Sequence, residues 1–223
     1  MPFKIDEKGR WINGTLEGHC FDRKLALALA RYLKKNGQQR IVDLGCGPGW
    51  YVKILREKCL NIDGYDGNPY TPHISRQILA DGTHCEQLDL SEKVRLGHEF
   101  DTVLSLEVGE HIPEKYEQIY LDNVTQNAIN QVILSWAVEG QSGSGHVNCR
   151  NNDYVIDQME KRGFYINVKA SNYFRGHATL PWFKNTIMVF GKERSKNKTL
   201  AEQIKSLTII KPQEKSHIIV AEP

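Results

Sequence analysis

Glu107, Glu110 and His111 stand at i, i+3 and i+4 in Leu106-Glu107-Val108-Gly109-Glu110-His111-Ile112-Pro113. If the chain begins to wind helically after Glu107, the three side chains converge. A second histidine, His146, follows in the polar segment Gly143-Ser144-Gly145-His146-Val147-Asn148. Two carboxylates and two imidazoles suit an octahedral Mg²⁺ or Mn²⁺ site, completed by water or substrate oxygens. Such a metal lowers the pKa of a bound hydroxyl. Without a metal, a histidine here is a candidate general base. The same glutamates would also cap a helix beginning near Pro113, where the helix dipole favours negative charge. All three readings stay open at this point. The candidate catalytic residues are Glu110, His111 and His146, and the candidate metal ligands are these three with Glu107.

A second group of residues points to ligand binding. Val42-Asp43-Leu44-Gly45-Cys46-Gly47-Pro48-Gly49 places three glycines where a strand should turn into a helix. Glycines there let the backbone approach a ligand that a Cβ would block. The spacing is GxGxG rather than GxGxxG, and Trp50 stands where a dinucleotide fold wants its third glycine. Contact with an uncharged part of a ligand fits better than a phosphate cradle. Asp66, 21 residues beyond Gly45, can accept both hydroxyls of a ribose. Asp89, in Leu88-Asp89-Leu90, can accept from an adenine amine.

Alternating strands and helices must position these residues. Phe21, Leu25, Leu29 and Leu33 repeat at helical spacing, with Gly37 just beyond as a helix stop. Short apolar strands are expected over 41–44, 60–66, 85–90, 100–108 and 131–138, with helices at 50–58, 72–80 and 116–128 between them. After a polar loop at 140–152 come a helix capped by Asn152 or Asp153 and strands at 165–170 and 186–191. The pattern predicts a three-layer α/β/α sandwich, Rossmann-like, on a seven-stranded, mostly parallel sheet. Ligands of such sheets bind beyond the carboxyl ends of the strands, where the motifs fall. The division expected is an N-terminal helical cap (1–39), a central domain (40–192) and a Lys-rich extension (193–223). Within the extension, 207–210 and 217–220 are short apolar pieces that would add strands or dock on the body.

As a set, Asp43-x-Gly45-x-Gly47-x-Gly49, Asp66 and Asp89 resemble the class I S-adenosylmethionine-dependent methyltransferases over about residues 40–192. The resemblance implies S-adenosylmethionine as cofactor, with Gly45 and Gly47 facing its methionine part, Asp66 its ribose and Asp89 its adenine. Asp43, Gly49, Leu90 and Glu107 join the implied cofactor site. The Glu-x-x-Glu-His motif followed by His146 is similar to that of two metal-using branches, the small-RNA 2′-O-methyltransferases and the ubiquinone-biosynthesis O-methyltransferases. In other branches the histidine acts without a metal. The expected activity is methylation of a hydroxyl on a small molecule or glycan. RNA 2′-O-methylation and a non-catalytic cofactor-binding partner subunit are the alternatives. Trp136, Gln141, Asn148 and Arg150 read as an acceptor-facing or a solvated loop. Trp11 and His19 read as helix packing or as a closure over the cofactor, and Tyr116, Ile119 and Tyr120 as core.

Lys and Arg total 29 against 27 Asp and Glu, a net charge of +2, which disfavours a nucleic-acid partner. No apolar run approaches the ~18 residues a membrane span needs. The N-terminus lacks the apolar stretch of a signal peptide. Five scattered cysteines without a CxxC pair read as reduced thiols, so a cytoplasmic location is expected. The sequence carries no signal for an oligomeric state.

Overall fold

The computed structural model describes residues 4–193 and 199–207. Seven strands form one sheet: β1 (Arg40–Leu44), β2 (Asn61–Asp66), β3 (Glu86–Gln87), β4 (Phe100–Leu106), β5 (Ala128–Ser135), β6 (Tyr165–Ile166) and β7 (Met188–Gly191). Their order is β3-β2-β1-β4-β5-β7-β6, with β7 antiparallel to both neighbours and the other pairs parallel. The chain winds outward from β1 through β2 to β3, then crosses back to β4. The switch in direction therefore lies between β1 and β4, and their carboxyl ends carry the glycine turn and the Glu107–His111 segment.

Helices cover both faces. On one lie α1 (Arg23–Lys35), α2 (Trp50–Glu57), α6 (Val168–His177) and α7 (Phe183–Thr186), with α3 (Thr71–Leu79) packed beside α2. On the other lie α4 (Glu117–Gln126) and α5 (Asn152–Glu160). The apolar stripe expected on α1 is fully used: Leu25, Leu29 and Leu33 are 0% exposed and share one core with α2 and α6. Gly37, at φ 66°, ends the helix in the left-handed region, as its position implies. Asp22 caps the other end. Its Oδ1 accepts from the Leu25 amide at 3.0 Å, while Oδ2 accepts from the Thr179 and Leu180 amides. One carboxylate thus ties α1 to the segment leading into α7.

Several expectations need correction. The strand expected at 85–90 is only Glu86–Gln87, the one expected at 100–108 ends at Leu106, and α5 has Asn151 rather than Asn152 or Asp153 at its N-cap, with no side-chain bond. The strand expected at 165–170 ends at Ile166, and Asn167 starts α6 by accepting from the Ala170 amide at 3.0 Å. The fifth strand begins three residues earlier than expected and stops at Ser135, leaving Trp136 in the turn beyond it. In the extension, a capping box at Thr199 and Glu202 starts α8 (Leu200–Ser206). Leu207 is buried; residues 208–210 and 217–220 lie outside the described residues.

Candidate active site

A cavity of about 480 Å³ opens along the carboxyl edge of β1, β2 and β4. One half is lined by the glycine turn, Asp43, Asp66, Asp89 and Leu90, the other by Glu107, Glu110, His111, Gln141 and His146. The sequence motifs, spread from Asp43 to His146 along the chain, therefore face one space.

In the first half, the glycine turn is held against β2 by the Gly45 and Cys46 amides, which both donate to the Tyr65 carbonyl at 2.7 and 3.0 Å. Gly45 has φ 87°, and a Cβ there would meet Val108 Cγ2 at 2.2 Å, so both space and conformation require glycine. Asp66 is aimed by two amides: Oδ2 accepts from Gly47 and Oδ1 from Asn68, each at 2.8 Å. Asp43 is 2% exposed, and burial, with the charge of Asp66 added, pushes its carboxyl up to about 8. Asp89 is engaged within the chain: Oδ2 lies 2.8 Å from Lys8 Nζ and 3.3 Å from Arg10, and Oδ1 accepts from Ser91.

Lys8 and Arg10 belong to a short N-terminal hairpin bridged between Ile5 and Trp11. Gly9, at its turn, sits against the His111 carbonyl, where a Cβ would meet that oxygen at 1.8 Å. The Trp11 ring lies 5.1 Å from His19 and 5.9 Å from His111, and both Trp11 and His19 line the cavity. The hairpin therefore straps the two halves together. Its turn signal, Asp6-Glu7-Lys8-Gly9, is visible in the sequence, but its destination is not.

The second half begins where β4 ends. Glu107 takes φ 55°, a left-handed conformation that costs a non-glycine residue energy. Its amide donates to Ser135 Oγ at 2.8 Å. Gln141 Nε2 and Thr186 Oγ1 donate to its carboxylate at 3.1 and 3.2 Å. Gly109–His111 then form a single 3₁₀ turn, so the winding expected after Glu107 occurs, in its tighter form. It brings Glu110, His111 and His146 together, with one ligand atom from each within 4.8 Å of the others. Glu107 is not in this trio.

The electrostatics of the trio are unusual. Glu110 is 0% exposed, and its carboxyl lacks a well-formed hydrogen bond, with the Ala137 backbone and the Glu107 side chain as its polar neighbours. Burial, followed by the charge of Glu107, holds its carboxyl well above the usual range. Glu107 is itself raised by burial, against the donors that oppose it. His111 Nδ1 is also buried without a partner, and burial together with His146 lowers this imidazole to about 4. His146 Nδ1 lies 3.1 Å from the Gln141 carbonyl, which can only accept, so that nitrogen carries the proton. Its Nε2 lies 4.0 Å from Glu110 Oε1. Buried polar atoms without partners cost roughly 1–3 kcal/mol each, more when charged. A carboxylate oxygen and two imidazoles converging in this way form a donor set that fits a divalent cation.

The loop residues divide. Gln141 faces the cavity, joined by Ser142 and Ser144, and Trp182 and Phe183 line it as well. Trp136 does not face the cavity: it is 0% exposed, with Tyr120 against its ring, and belongs to the core. Asn148 and Arg150 turn away as well, toward Glu117. Tyr120 is buried core, as expected.

A family profile described as a methyltransferase domain matches residues 17–168. The chain belongs to that family, and its fold is that of the class I S-adenosylmethionine-dependent methyltransferases. No curated protein matches the sequence. Among solved structures, magnesium protoporphyrin IX methyltransferase from Synechocystis, with bound S-adenosylmethionine, is 19% identical. It covers 74% of this chain and 76% of its own, with a TM-score of 0.54. The methyltransferase domain of bacterial CtHen1 is 17% identical, covering 76% and 98%, with a TM-score of 0.57. The sugar N-methyltransferase KedS8 from Streptoalloteichus is 12% identical, covering 81% and 97%, with a TM-score of 0.61. At these identities the likeness is one of fold.

Proposed function

We propose that this protein transfers the methyl group of S-adenosylmethionine to a hydroxyl of a small molecule or glycan, at a site built to hold a divalent cation. Asp66 would accept from the ribose hydroxyls, and the glycine turn leaves room for the methionine part to lie against the backbone. Asp89 is the acceptor offered to the adenine amine; with Lys8 and Arg10 already on Oδ2, it would have to share or exchange a partner. Glu110, His111 and His146 would hold Mg²⁺ or Mn²⁺, which when bound supplies Lewis acidity to an acceptor oxygen.

The chain's own residues do the rest. A base with a pKa of about 4 takes protons poorly at neutral pH, so His111 is better suited to offer a lone pair than to act as general base. Glu107, fixed by Ser135, Gln141 and Thr186, forms the wall between cofactor and trio. Ser142, Ser144 and Gln141 offer hydroxyl and amide partners to a polar acceptor, and Trp182 adds an apolar face to the same cavity. Holding acceptor and methyl donor in line supplies on the order of 7–11 kcal/mol of the barrier reduction.

The observation that carries this reading is the trio itself: three convergent donors, two of them with buried atoms that lack a well-formed hydrogen bond. Titrating chelator-stripped protein with Mn²⁺, followed by electron paramagnetic resonance with the cofactor present, tests it. One ion per chain is expected, with binding weakened in His146→Ala. Absence of binding by the wild-type protein would overturn the cation site.

A further inference from the structure

The loop that carries His146 hangs from two anchors. The first is the backbone of Glu110, whose carbonyl accepts from the Val147 and Asn148 amides at 2.9 and 3.0 Å. The second is the side chain of Glu117, the first residue of α4. Glu117 Oε2 accepts from Asn148 Nδ2 at 3.0 Å and from Arg150 Nε at 2.9 Å. Its Oε1 accepts from the Tyr154 hydroxyl. Arg150 is clamped in turn by Glu114 at 2.7 Å and lies 5.0 Å over the Tyr154 ring. The Asn148 carbonyl closes the arrangement by accepting from Trp136 Nε1 at 2.6 Å.

An ordinary glutamate opening a helix sits in solvent and gains a little from the dipole. Glu117 is 2% exposed instead. Burial alone would raise its carboxyl, but Tyr154, Asn148 and Arg150 outweigh it and hold the group below the usual range, so it stays ionised. Its long-range donors come from residues 148–154, directly after His146, and none from the cofactor half. Between Val138 and Asn148 the loop has two other outward ties, Gln141 Nε2 donating to Glu107 at 3.1 Å and Glu139 accepting from Asn151 at 2.9 Å; its remaining bonds are internal, from Gln141 to Val138, from His146 to Gly143 at 3.5 Å and from the His146 ring to the Gln141 carbonyl at 3.1 Å.

We propose that Glu117 is a positioning residue of the active site: through Asn148 it sets the place of the His146 imidazole and keeps its Nε2 facing Glu110 and His111. It touches neither cavity nor ligand, and acts by fixing where one side chain of the trio begins. The consequence for cation affinity rests on the reading of the trio given above, but the placement of His146 can be measured with no ion present.

The test uses the full chain with Glu117→Ala and Asn148→Ala. The readouts are long-range ¹⁵N–¹H spectra of the histidine rings (His146 assigned with His146→Gln), Mn²⁺ affinity and S-adenosylmethionine affinity. In the wild-type protein His146 shows the single Nδ1–H tautomer. In Glu117→Ala it becomes an average of tautomers, Mn²⁺ affinity falls by about 10- to 100-fold, and cofactor affinity holds. Asn148→Ala cuts only the link nearest His146 and carries the test should Glu117→Ala fail to fold; the same tautomer change is expected. A wild-type protein that binds no Mn²⁺, with the His146 signals still shifting in the variants, would sink the cation site and leave the positioning role standing. Unchanged His146 ring signals in a folded Glu117→Ala or Asn148→Ala protein would overturn the positioning role, with or without an ion.

Discussion

Asp66 and His146 show how a single side chain is aimed in this site. The Asp66 carboxylate is held by two amides of its own neighbourhood, so it is in place before any ligand arrives. Asp66→Ala should therefore lower cofactor affinity by roughly 10- to 100-fold, the scale of charge-assisted hydrogen bonds, while the far-ultraviolet spectrum stays unchanged. Isothermal titration reads the first outcome; unaltered affinity would show that the ribose lies elsewhere. His146 depends on room as well as on bonds. A Cβ on Gly143 would fall 2.1 Å from its Nε2, so Gly143→Ala must push the imidazole out of the trio. Methyl transfer should fall by about 100-fold, the cost of a displacement near 1 Å, with cofactor affinity retained. Stopped-assay turnover beside cofactor titration separates the two.

At the scale of elements, α1 does more than cover the sheet. Its inner face is fully buried, and its capping Asp22 holds the segment that presents Trp182 and Phe183 to the cavity. Leu29→Ala should cost about 2–5 kcal/mol in urea denaturation, as buried leucine truncations do. Most elements were legible because their signals are local: the glycine turn, the four-residue repeat of α1 and the apolar runs of β1 and β4 need no distant partner. The strand expected at 165–170 failed because Tyr165-Ile166-Asn167-Val168 alternates like a strand. The local sign of a helix there is the Asn167 cap. In the site, the meeting of Glu110 with His111 was legible from adjacency. Three things were not: the 3₁₀ turn that separates Glu107 from them, the burial of Trp136, and the bonds from Glu117 to residues 31–37 positions away. Those depend on how β4, β5 and α4 pack, which no local pattern encodes.

At the scale of the whole molecule, a net charge of +2 is distributed so that acidic groups line the cavity. Asp43 is buried among them, with its carboxyl raised from the ordinary 3.8 to about 8. A raised acid binds its proton more tightly in the folded state. Its stability contribution is complete below 3.8 and is lost as pH climbs to about 8, by up to about 1.4 kcal/mol per pH unit. Asp43→Asn should therefore flatten the fall in unfolding free energy of the ligand-free protein across this window and make the variant the more stable of the two at pH 8. Chemical denaturation at a series of pH values checks this, and parallel curves would refute it.

The proposed reaction requires an acceptor hydroxyl activated beside Glu110, His111 and His146. The direct measurement is transfer of labelled methyl from S-adenosylmethionine to a panel of hydroxyl and amine acceptors, by protein stripped with EDTA and then resupplied with Mg²⁺ or Mn²⁺. Methylation of a hydroxyl acceptor, abolished by chelation and restored by the metal, is the predicted result. Transfer that proceeds undiminished in EDTA, or that occurs on amines alone, would contradict it.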